Sequence, residues 1–472
     1  MRPSSVYAPR LLPLAFAILV AGCAQDRAVL LGPPPPRFGD TAPTAPTAAA
    51  AAPDERFAAA PRLPALLQAA LDRNPAIQAA RARALAAREG PAVEGALPNP
   101  QLMLGWYETS VQTRVGPQEW SVGVQQAIPF PTKLDTKADI EESEARRMRV
   151  VYERVARDVL VEVVKVSHEI AYIDEAARVS GEIGALLERY TTAAAAQDTS
   201  SPVSELFRAE TQRAQLENDR VILAELRVVE AQRLRSLLDL PPDTPIGTPV
   251  LGPAPAIRTS IPQLLAVAER HNQELREAGI AMETALLRSS LAEQSRVPDM
   301  SIGLMSIRTD RLPAELGMNP EGNGDDPLVL QFGVTLPIWL QKDAATIRRA
   351  RELERAAALD RADAIQRTRD GVTRAWFQVG NAQRLAQLYA EVLVPRAATA
   401  ARTAEDLLAS GKGNLGGLLE TIAVYHNFRL AAARARADHG RAIADLERAI
   451  GQPLDPVGAG SSTTESGEGG DR

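Results

Sequence analysis

Residues 97–133 read LPNPQLMLGWYETSVQTRVGPQEWSVGVQQAIPFPTK, and this stretch decides the fold that we predict. Apolar residues alternate with small or polar ones in both of its halves: Leu102, Leu104 and Trp106 in the first, Trp120, Val122 and Val124 in the second. A period of two is typical of a strand with one apolar face. The stretch predicts a hairpin with strands at about residues 99–110 and 118–128. Each is about as long as a tilted strand that crosses a bilayer.

The first residues predict an export signal. Two arginines and the apolar run Leu11–Val20 precede Cys23, so residues 1–22 have the form of a signal peptide. The sequence Val20-Ala21-Gly22-Cys23 is similar to the bacterial lipobox, which implies an acylated Cys23 at the start of a mature chain held in outer-membrane lipid. A plain signal peptide with an incidental cysteine is the alternative. Because Cys23 is the only cysteine, an intramolecular disulfide and a thiolate metal cluster are excluded.

Length and composition favour a long-helix protein of the cell envelope. The 472 residues are ample for a large core, and only 4% of them are aromatic. A net charge of −6 argues against a nucleic-acid partner. Residues 23–61 are rich in Pro and Ala and predict an extended tether, and residues 456–472 predict a disordered tail.

Comparison of the chain with itself indicates a duplication. Four pairs of segments match in the same order: Leu63–Leu67 with Ile261–Leu265, Leu97–Asn99 with Val297–Asp299, Gly123–Ile128 with Gly333–Ile338, and Leu234–Pro241 with Leu446–Pro453. We therefore predict a first repeat at residues 62–249 and a second at 250–455. Each contains a helix, a hairpin, a long helix and a shorter helix. The second hairpin has strands at about 299–309 and 327–338.

The helices are predicted from a different period. Apolar residues recur every three or four positions in the proline-free run from about Thr136 to Tyr190. The matching run is Ala344–Ser410, in which Pro395 predicts a kink. Breakers follow at Gln197–Pro202 and Ser410–Gly417. The shorter helices then extend from about Val203 to Leu240 and from about Leu415 to Ile450. Helical hairpins of this length indicate the staves of a tube or an extended coiled coil.

Four membrane-length strands cannot close a barrel alone, because an open edge in lipid leaves backbone groups unpaired. Closure would need eight strands from two chains or twelve from three, and only the larger barrel leaves room for a channel. A soluble hairpin packed on a helical core shows the same period and is the alternative.

From about Arg62 to Asp455, the repeat, the proline-flanked strand pairs and the helix breakers resemble the TolC-like outer-membrane factor (outer membrane efflux protein) family. The resemblance implies a mixed α and β membrane protein, with a trimeric twelve-stranded outer-membrane β-barrel continuous with a periplasmic α-helical barrel. It implies a periplasmic adaptor and an inner-membrane pump of the resistance-nodulation-division type as partners. Within the family, Ile128–Lys133 looks like a segment of the lipoproteins of heavy-metal and cation efflux systems. A glycine commonly precedes the lysine there, and Thr132 takes its place here.

In this family the periplasmic aperture follows the helix reversals, where some members have acidic residues. The resemblance places those positions at Glu205, Gly417 and Glu420, and Gly417 departs from the acidic pattern. An acidic ring from three chains would favour cations. The alternative is an ordinary helix N-terminus, where Glu also complements the dipole.

The predicted function is a passive outer-membrane exit duct with metal cations as a candidate cargo. Drug efflux, type I protein secretion and a non-conducting periplasmic coiled-coil scaffold are the alternatives. We predict no catalytic residue, cofactor or metal ligand, because no nucleotide-binding or hydrolase motif is present. The four histidines show no ligand spacing and are predicted to be ordinary. Glu321–Asp326 predicts an extracellular turn, since no closing glutamate completes a calcium loop.

Overall fold

The structure is a computed structural model, and it describes residues 57–196, 203–257, 259–312 and 320–454. The predictions for the signal peptide, Cys23, the breaker Gln197–Pro202 and the tail 456–472 lie outside these ranges. The first half of the described chain contains α1 (Leu63–Arg73), α2 (Pro75–Ala87), α3 (Gly90–Glu94), β1 (Gln101–Thr113), β2 (Gly116–Ile128), α4 (Pro131–Ala196) and α5 (Val203–Leu238). The second contains α6 (Ile261–His271), α7 (Gln273–Glu293), β3 (Met300–Thr309), β4 (Leu328–Val334), α8 (Leu340–Gln387), α9 (Val394–Ala409) and α10 (Leu415–Ile450).

Two asparagines show that the repeated sequence makes repeated contacts. Asn74 caps α2 by accepting from the Ala76 and Ile77 N–H groups, and Asn272 caps α7 by accepting from the Leu275 N–H group. Each side chain also donates to the last turn of its repeat's final helix, Asn74 to the Leu237 carbonyl at 2.9 Å and Asn272 to the Ala449 carbonyl at 2.8 Å. The two acceptors occupy matching positions in the repeated sequence.

The apolar core is likewise built twice. In the first copy, residues from α1, α4 and α5 pack together: Leu66, Val163, Val166, Ile170, Leu234 and Leu238. In the second copy, the corresponding residues come from α6, α8 and α10: Leu264, Val372, Ala375, Val379, Leu446 and Ile450. Each short helix is thus fixed against a long helix and the end of the returning one.

The four strands form one antiparallel sheet in the order β1-β2-β3-β4. Leu102 pairs with Val124, Val124 with Leu304, and Leu304 with Leu330. The pairing of β2 with β3 joins the two repeats. Among the described residues, β1 and β4 each have a strand neighbour on one side only.

The last residues of the predicted tether are packed, because the folded chain already includes residue 57. The Phe57 side chain is 3% exposed and belongs to the first core. The Phe57 carbonyl accepts from the Gly247 N–H group at 2.8 Å, and the Pro61 carbonyl accepts from the Val250 N–H group at 2.9 Å. The Phe57 ring offers more apolar surface for burial than the small Pro and Ala side chains that dominate the predicted tether.

Other element boundaries also differ from the predictions. Val334, the last residue of β4, lies opposite Met300, the first residue of β3. The predicted extension of β4 to residue 338 therefore has no part of β3 to pair with. Helix α4 already starts at Pro131, because proline needs no hydrogen bond in a first turn. A kink is predicted at Pro395. In the structure, a π-helical turn at Leu388–Leu393 interrupts the long helix and ends two residues before Pro395.

None of the described helices has a segment that is both long and apolar enough to cross a bilayer.

Candidate functional site

One face of the sheet is apolar across all four strands. We call this the apolar sheet face: Leu102, Leu104, Trp106, Trp120, Val122, Val124, Met300, Ile302, Leu304, Leu328, Leu330, Phe332 and Val334, interrupted by Gln126, Ser306 and Arg308. In the single chain, Trp106 is 79% exposed and Phe332 is 74% exposed. A contiguous apolar patch of this kind indicates contact with lipid or with another protein.

The opposite face carries small and polar residues. We call this the polar sheet face: Gln101, Gly105, Ser121, Gly123, Gln125, Ser301, Gly303, Gln331 and Gly333, interrupted by Met103, Ala127, Met305, Ile307 and Val329. The Gln125 side-chain amide donates to the Ser301 hydroxyl at 3.1 Å, across the contact between the repeats. A sheet with one apolar and one polar face fits a wall between lipid and water.

Below the sheet, Lys133 connects the repeats. Its ammonium donates to the Val297 carbonyl at 2.6 Å and to the Asp299 carboxylate at 2.8 Å, with only 14% of the lysine side chain exposed. The Phe130 N–H group donates to the same carboxylate at 3.0 Å. Burial raises the pKa of Asp299, but the hydrogen bonds from Lys133 and Phe130 outweigh it and leave that pKa below its usual value. The segment Ile128–Lys133 therefore has a structural role at the junction of sheet and helices.

Replacing Lys133 with methionine should lower the stability of the folded chain by roughly 1–3 kcal/mol, because the Val297 carbonyl and Asp299 lose their donor. Lys137→Met is the matched control. The Lys137–Glu94 pair is 3.7 Å long and about half exposed, so its loss should cost under about 0.5 kcal/mol. Thermal unfolding in detergent measures both changes. Equal effects of the two substitutions would contradict the role given to Lys133.

At the far end of the long helices, three helices meet in an apolar cluster. We call this region the helix-reversal tip, and its core contains Ile183 and Leu187 from α4, Ala209 and Leu216 from α5, and Leu415, Leu418, Leu419 and Ile422 from α10. Burial of the Tyr190 ring raises the pKa of its hydroxyl, and the neighbouring Glu405 carboxylate raises it further. Helix α9 is thereby joined to α4 at the tip.

The tip brings Glu205 of α5 close to Gly416 of α10, the neighbour of the predicted aperture residue Gly417. The Asn414 side chain caps α10 by accepting from the Gly417 N–H group at 2.7 Å. A Cβ built on Gly416 would lie 3.0 Å from the Glu205 Oε1 atom, so Glu205 lies over the first turn of α10. Glu420 is exposed further along the same helix. The first turn of α10 has no acidic residue of its own, and Glu205 supplies one from α5.

Three of the four histidines lie at the contact of α4 with α10, which joins the repeats. We call this contact the histidine seam: His168, His426 and His439. Burial lowers the pKa of His168 to about 4, helped by the charges of His439 and Arg441, and burial also lowers the pKa of His426 and His439. The His168 ring lies directly against Gly440, where an added Cβ would be 2.1 Å from its Cε1 atom. Sequence spacing gave no sign of this arrangement, because it depends on two helices distant in the chain.

Ion pairs flank the histidine seam. Arg434 and Arg441 of α10 both bind Glu169 of α4, at 2.9 and 2.7 Å. Lys165 of α4 binds Asp445 of α10 at 3.1 Å. These pairs fix the register of the two helices on either side of the buried histidines.

The residues that the structure describes contain no group of three or more His, Cys, Asp or Glu side chains suited to hold a metal ion. At the end of the predicted turn Glu321–Asp326, the Asp326 carboxylate accepts from the Thr309 N–H group at 2.8 Å and pairs with Arg308 at 3.1 Å. The loop thus closes the end of the second hairpin.

Comparisons with known proteins agree with this architecture. Residues 264–452 match the model of the family described as outer membrane efflux protein. The structure is similar to the outer membrane channel MtrE from Neisseria gonorrhoeae, with a TM-score of 0.69 and 18% sequence identity over 85% of this chain and 92% of that one. It is also similar to the outer membrane protein VceC from Vibrio cholerae, with a TM-score of 0.67 and 15% identity over 83% of this chain and 97% of that one.

A third similar structure is that of CusC, a protein whose folding and transmembrane channel formation are accompanied by conformational changes. The TM-score is 0.69 and the sequence identity is 14%, over 84% of this chain and 93% of that one. No curated protein sequence gives a significant match. The chain therefore has the fold of outer-membrane channels, and its second repeat carries the sequence features of the efflux family.

Proposed function

We propose that this chain is the outer-membrane channel subunit of a tripartite efflux system. Three copies form a twelve-stranded barrel in the bacterial outer membrane, and their helices continue it as a tube in the periplasm. The subunit performs no covalent chemistry. A periplasmic adaptor and an inner-membrane pump of the resistance-nodulation-division type drive substrates into it, and Cys23 anchors the chain in lipid.

The observation that carries this proposal is the two-faced sheet with two open edges. Its apolar sheet face is exposed in a single chain, whereas its polar sheet face holds glutamine, serine and glycine. An open strand edge in lipid costs several kcal/mol for each unpaired backbone group, so such a sheet is stable in a membrane only when closed. Twelve strands leave a water-filled interior, whereas eight would be filled by side chains.

The helix-reversal tip is the proposed aperture. Three copies of Glu205 and Glu420 would surround the axis with six carboxylates, which favours the passage of cations. Because Glu205 lies over the start of α10, a change in the packing of α5 against α10 would move this charge.

For the cargo we propose metal cations. This rests on the similarity of Ile128–Lys133 to the cation-efflux lipoproteins and on the acidic residues at the tip. Drugs and exported proteins are the alternatives.

A deletion strain tests the cargo. Loss of this chain should increase sensitivity to one or a few metal cations, and the intact gene should restore resistance, because the duct is the last step of export. Growth across a panel of metals and antibiotics measures this. Sensitivity to antibiotics alone would refute the metal cargo and leave the efflux duct in place.

The double substitution Glu205→Gln and Glu420→Gln tests the tip in a chain that still folds. If the tip carboxylates favour cations, this variant should restore resistance to metals less well than the original gene.

A further inference from the structure

We propose that β4 pairs antiparallel with β1 of a second copy of this chain, in the register that places Gly333 opposite Gly105. This rests on the proposed function and adds the residue pairs of the subunit contact. The same register places Phe332 opposite Trp106 and Val334 opposite Leu104.

The contact between the repeats inside one chain provides the template. There β2 pairs with β3 in one register from Trp120 to Ile128, with Val122 opposite Ser306, Gly123 opposite Met305 and Val124 opposite Leu304. The sequence repeat aligns Gly123 with Gly333 and Asp299 with Asn99, so β4 corresponds to β2 and β1 corresponds to β3. Transferring the internal register to the two open edges gives the proposed pairs.

The faces of the two strands agree with this register at Phe332, Gly333 and Val334, whereas Leu330 lies opposite Glu108, in the irregular part of β1 after Trp106. Phe332 and Val334 lie on the apolar sheet face, as do Trp106 and Leu104, while both glycines lie on the polar sheet face. A shift by one residue would place apolar side chains opposite polar ones and reverse the faces. Only shifts by two residues preserve the pattern, and those need a second criterion.

The tilt of a closed barrel supplies that criterion. Across one chain, Leu102 lies opposite Val124, Val124 opposite Leu304, and Leu304 opposite Leu330. The proposed pairing then places Leu330 opposite Glu108 of the next copy. A line of opposite residues around the barrel therefore moves along β1 by six residues for each chain that it crosses. Three chains give about 60 Å of stagger against about 58 Å across twelve strands, a tilt of about 45°. A register shifted by two residues in one direction gives about 54°, outside the tilt of about 35–45° for strands of membrane barrels. The shift in the other direction gives about 35°, and the internal contact between the repeats argues against it.

A polar pair below the sheet agrees with the same correspondence. Inside the chain, Lys133 donates to Asp299, and the matching positions of the outer edges are Asp343 and Asn99. Asp343 is 8% exposed, and its Oδ2 atom is buried in the single chain without a hydrogen-bond partner among the described residues, so its side chain must turn outward to meet a donor from another copy. A carboxylate accepts and an amide donates, so Asn99 of the next copy is a chemically suitable partner.

Cysteine pairs test the register in membranes that contain the full-length protein. Val334→Cys combined with Leu104→Cys should give disulfide-linked dimers and trimers on oxidation with copper phenanthroline. Combinations of Val334→Cys with Leu102→Cys or Trp106→Cys should give several-fold less, because diagonal Cβ atoms are about 7–8 Å apart and a disulfide needs about 4 Å. Val124→Cys with Leu304→Cys is the matched control, since this equivalent pair should close within one chain. Each single variant controls for pairing with Cys23.

The outcomes separate this proposal from the proposed function. Stronger cross-linking through Leu102→Cys or Trp106→Cys in a detergent-resistant trimer would overturn the register and leave the duct intact. Absence of all three cross-links in such a trimer, with the control pair closed, would overturn the strand pairing. A chain that stays monomeric in gentle detergent would overturn the proposed function itself.

Charge substitutions give an independent readout of the same contact. Asn99→Asp should lower the temperature at which the trimer dissociates, because two carboxylates would then face each other. Adding Asp343→Lys should restore it, since the subunit contact would then repeat the Lys133–Asp299 pair. Additive loss in the double variant would overturn the assignment of Asp343 to Asn99.

Discussion

Replacing Gly440 with alanine should destabilise the folded chain by roughly 1–3 kcal/mol, although alanine favours helix more than glycine does. The new Cβ would lie 2.1 Å from the His168 ring, inside the contact of α4 with α10. The ring or the helix must shift, and the ion pairs of Glu169 with Arg434 and Arg441 would be strained with it. Thermal or urea unfolding of the solubilised protein measures the loss.

Two further variants make this prediction specific. Gly371→Ala is the matched control within helix α8, because no atom lies within 4 Å of its added Cβ, and it should stabilise the chain by about 0.5–1 kcal/mol. In a chain with His168→Ala, the Gly440→Ala substitution should cost little, since the ring is gone. A cost that is unchanged in that background would show that His168 is not the obstacle.

Acidification should weaken the histidine seam. Unfolded histidine has a pKa of about 6.5, whereas the folded His168 pKa is about 4. Between these values the unfolded chain binds more protons than the folded one, so stability falls as the pH falls. His168 alone should remove about 1.4 kcal/mol per pH unit, about 3 kcal/mol by pH 4. The lowered pKa values of His426 and His439 act in the same direction.

Unfolding experiments from pH 7.5 to pH 4.5 test this dependence. Carboxylates also titrate in this range, so the informative quantity is the difference between the original chain and His168→Gln. That variant should lose less stability on acidification, because glutamine takes up no proton. His271→Gln is the control, since His271 is exposed at the end of α6. Parallel curves for His168→Gln and the original chain would contradict the burial of an uncharged imidazole.

Local patterns explain why much of the fold could be predicted. The alternation in residues 97–133 depends only on neighbours along the chain, and β1 and β2 lie where it indicated a hairpin. The four matching pairs of segments predicted repeated structure, and Asn74 and Asn272 each cap a helix and make the same contact with a final helix. Pro395 predicted an interruption in the second long helix, because its missing N–H group acts locally.

Contacts between distant segments could not be predicted in this way. The histidine seam requires that α4 and α10 lie side by side, and no spacing within either helix indicates it. The role of Lys133 depends on Asp299, which is far away in the sequence. At the helix-reversal tip, Glu205, Gly417 and Glu420 were placed by family resemblance, whereas the closeness of Glu205 to Gly416 became visible only in three dimensions.

Conductance measured on the purified protein in a planar lipid bilayer tests the central claim most directly. The mature chain should migrate as a detergent-resistant trimer and produce stepwise current increases on insertion, with cations favoured over anions. The double substitution Glu205→Gln and Glu420→Gln should reduce that preference while the trimer persists. A monomeric chain that inserts without any current would contradict the duct and favour a periplasmic scaffold.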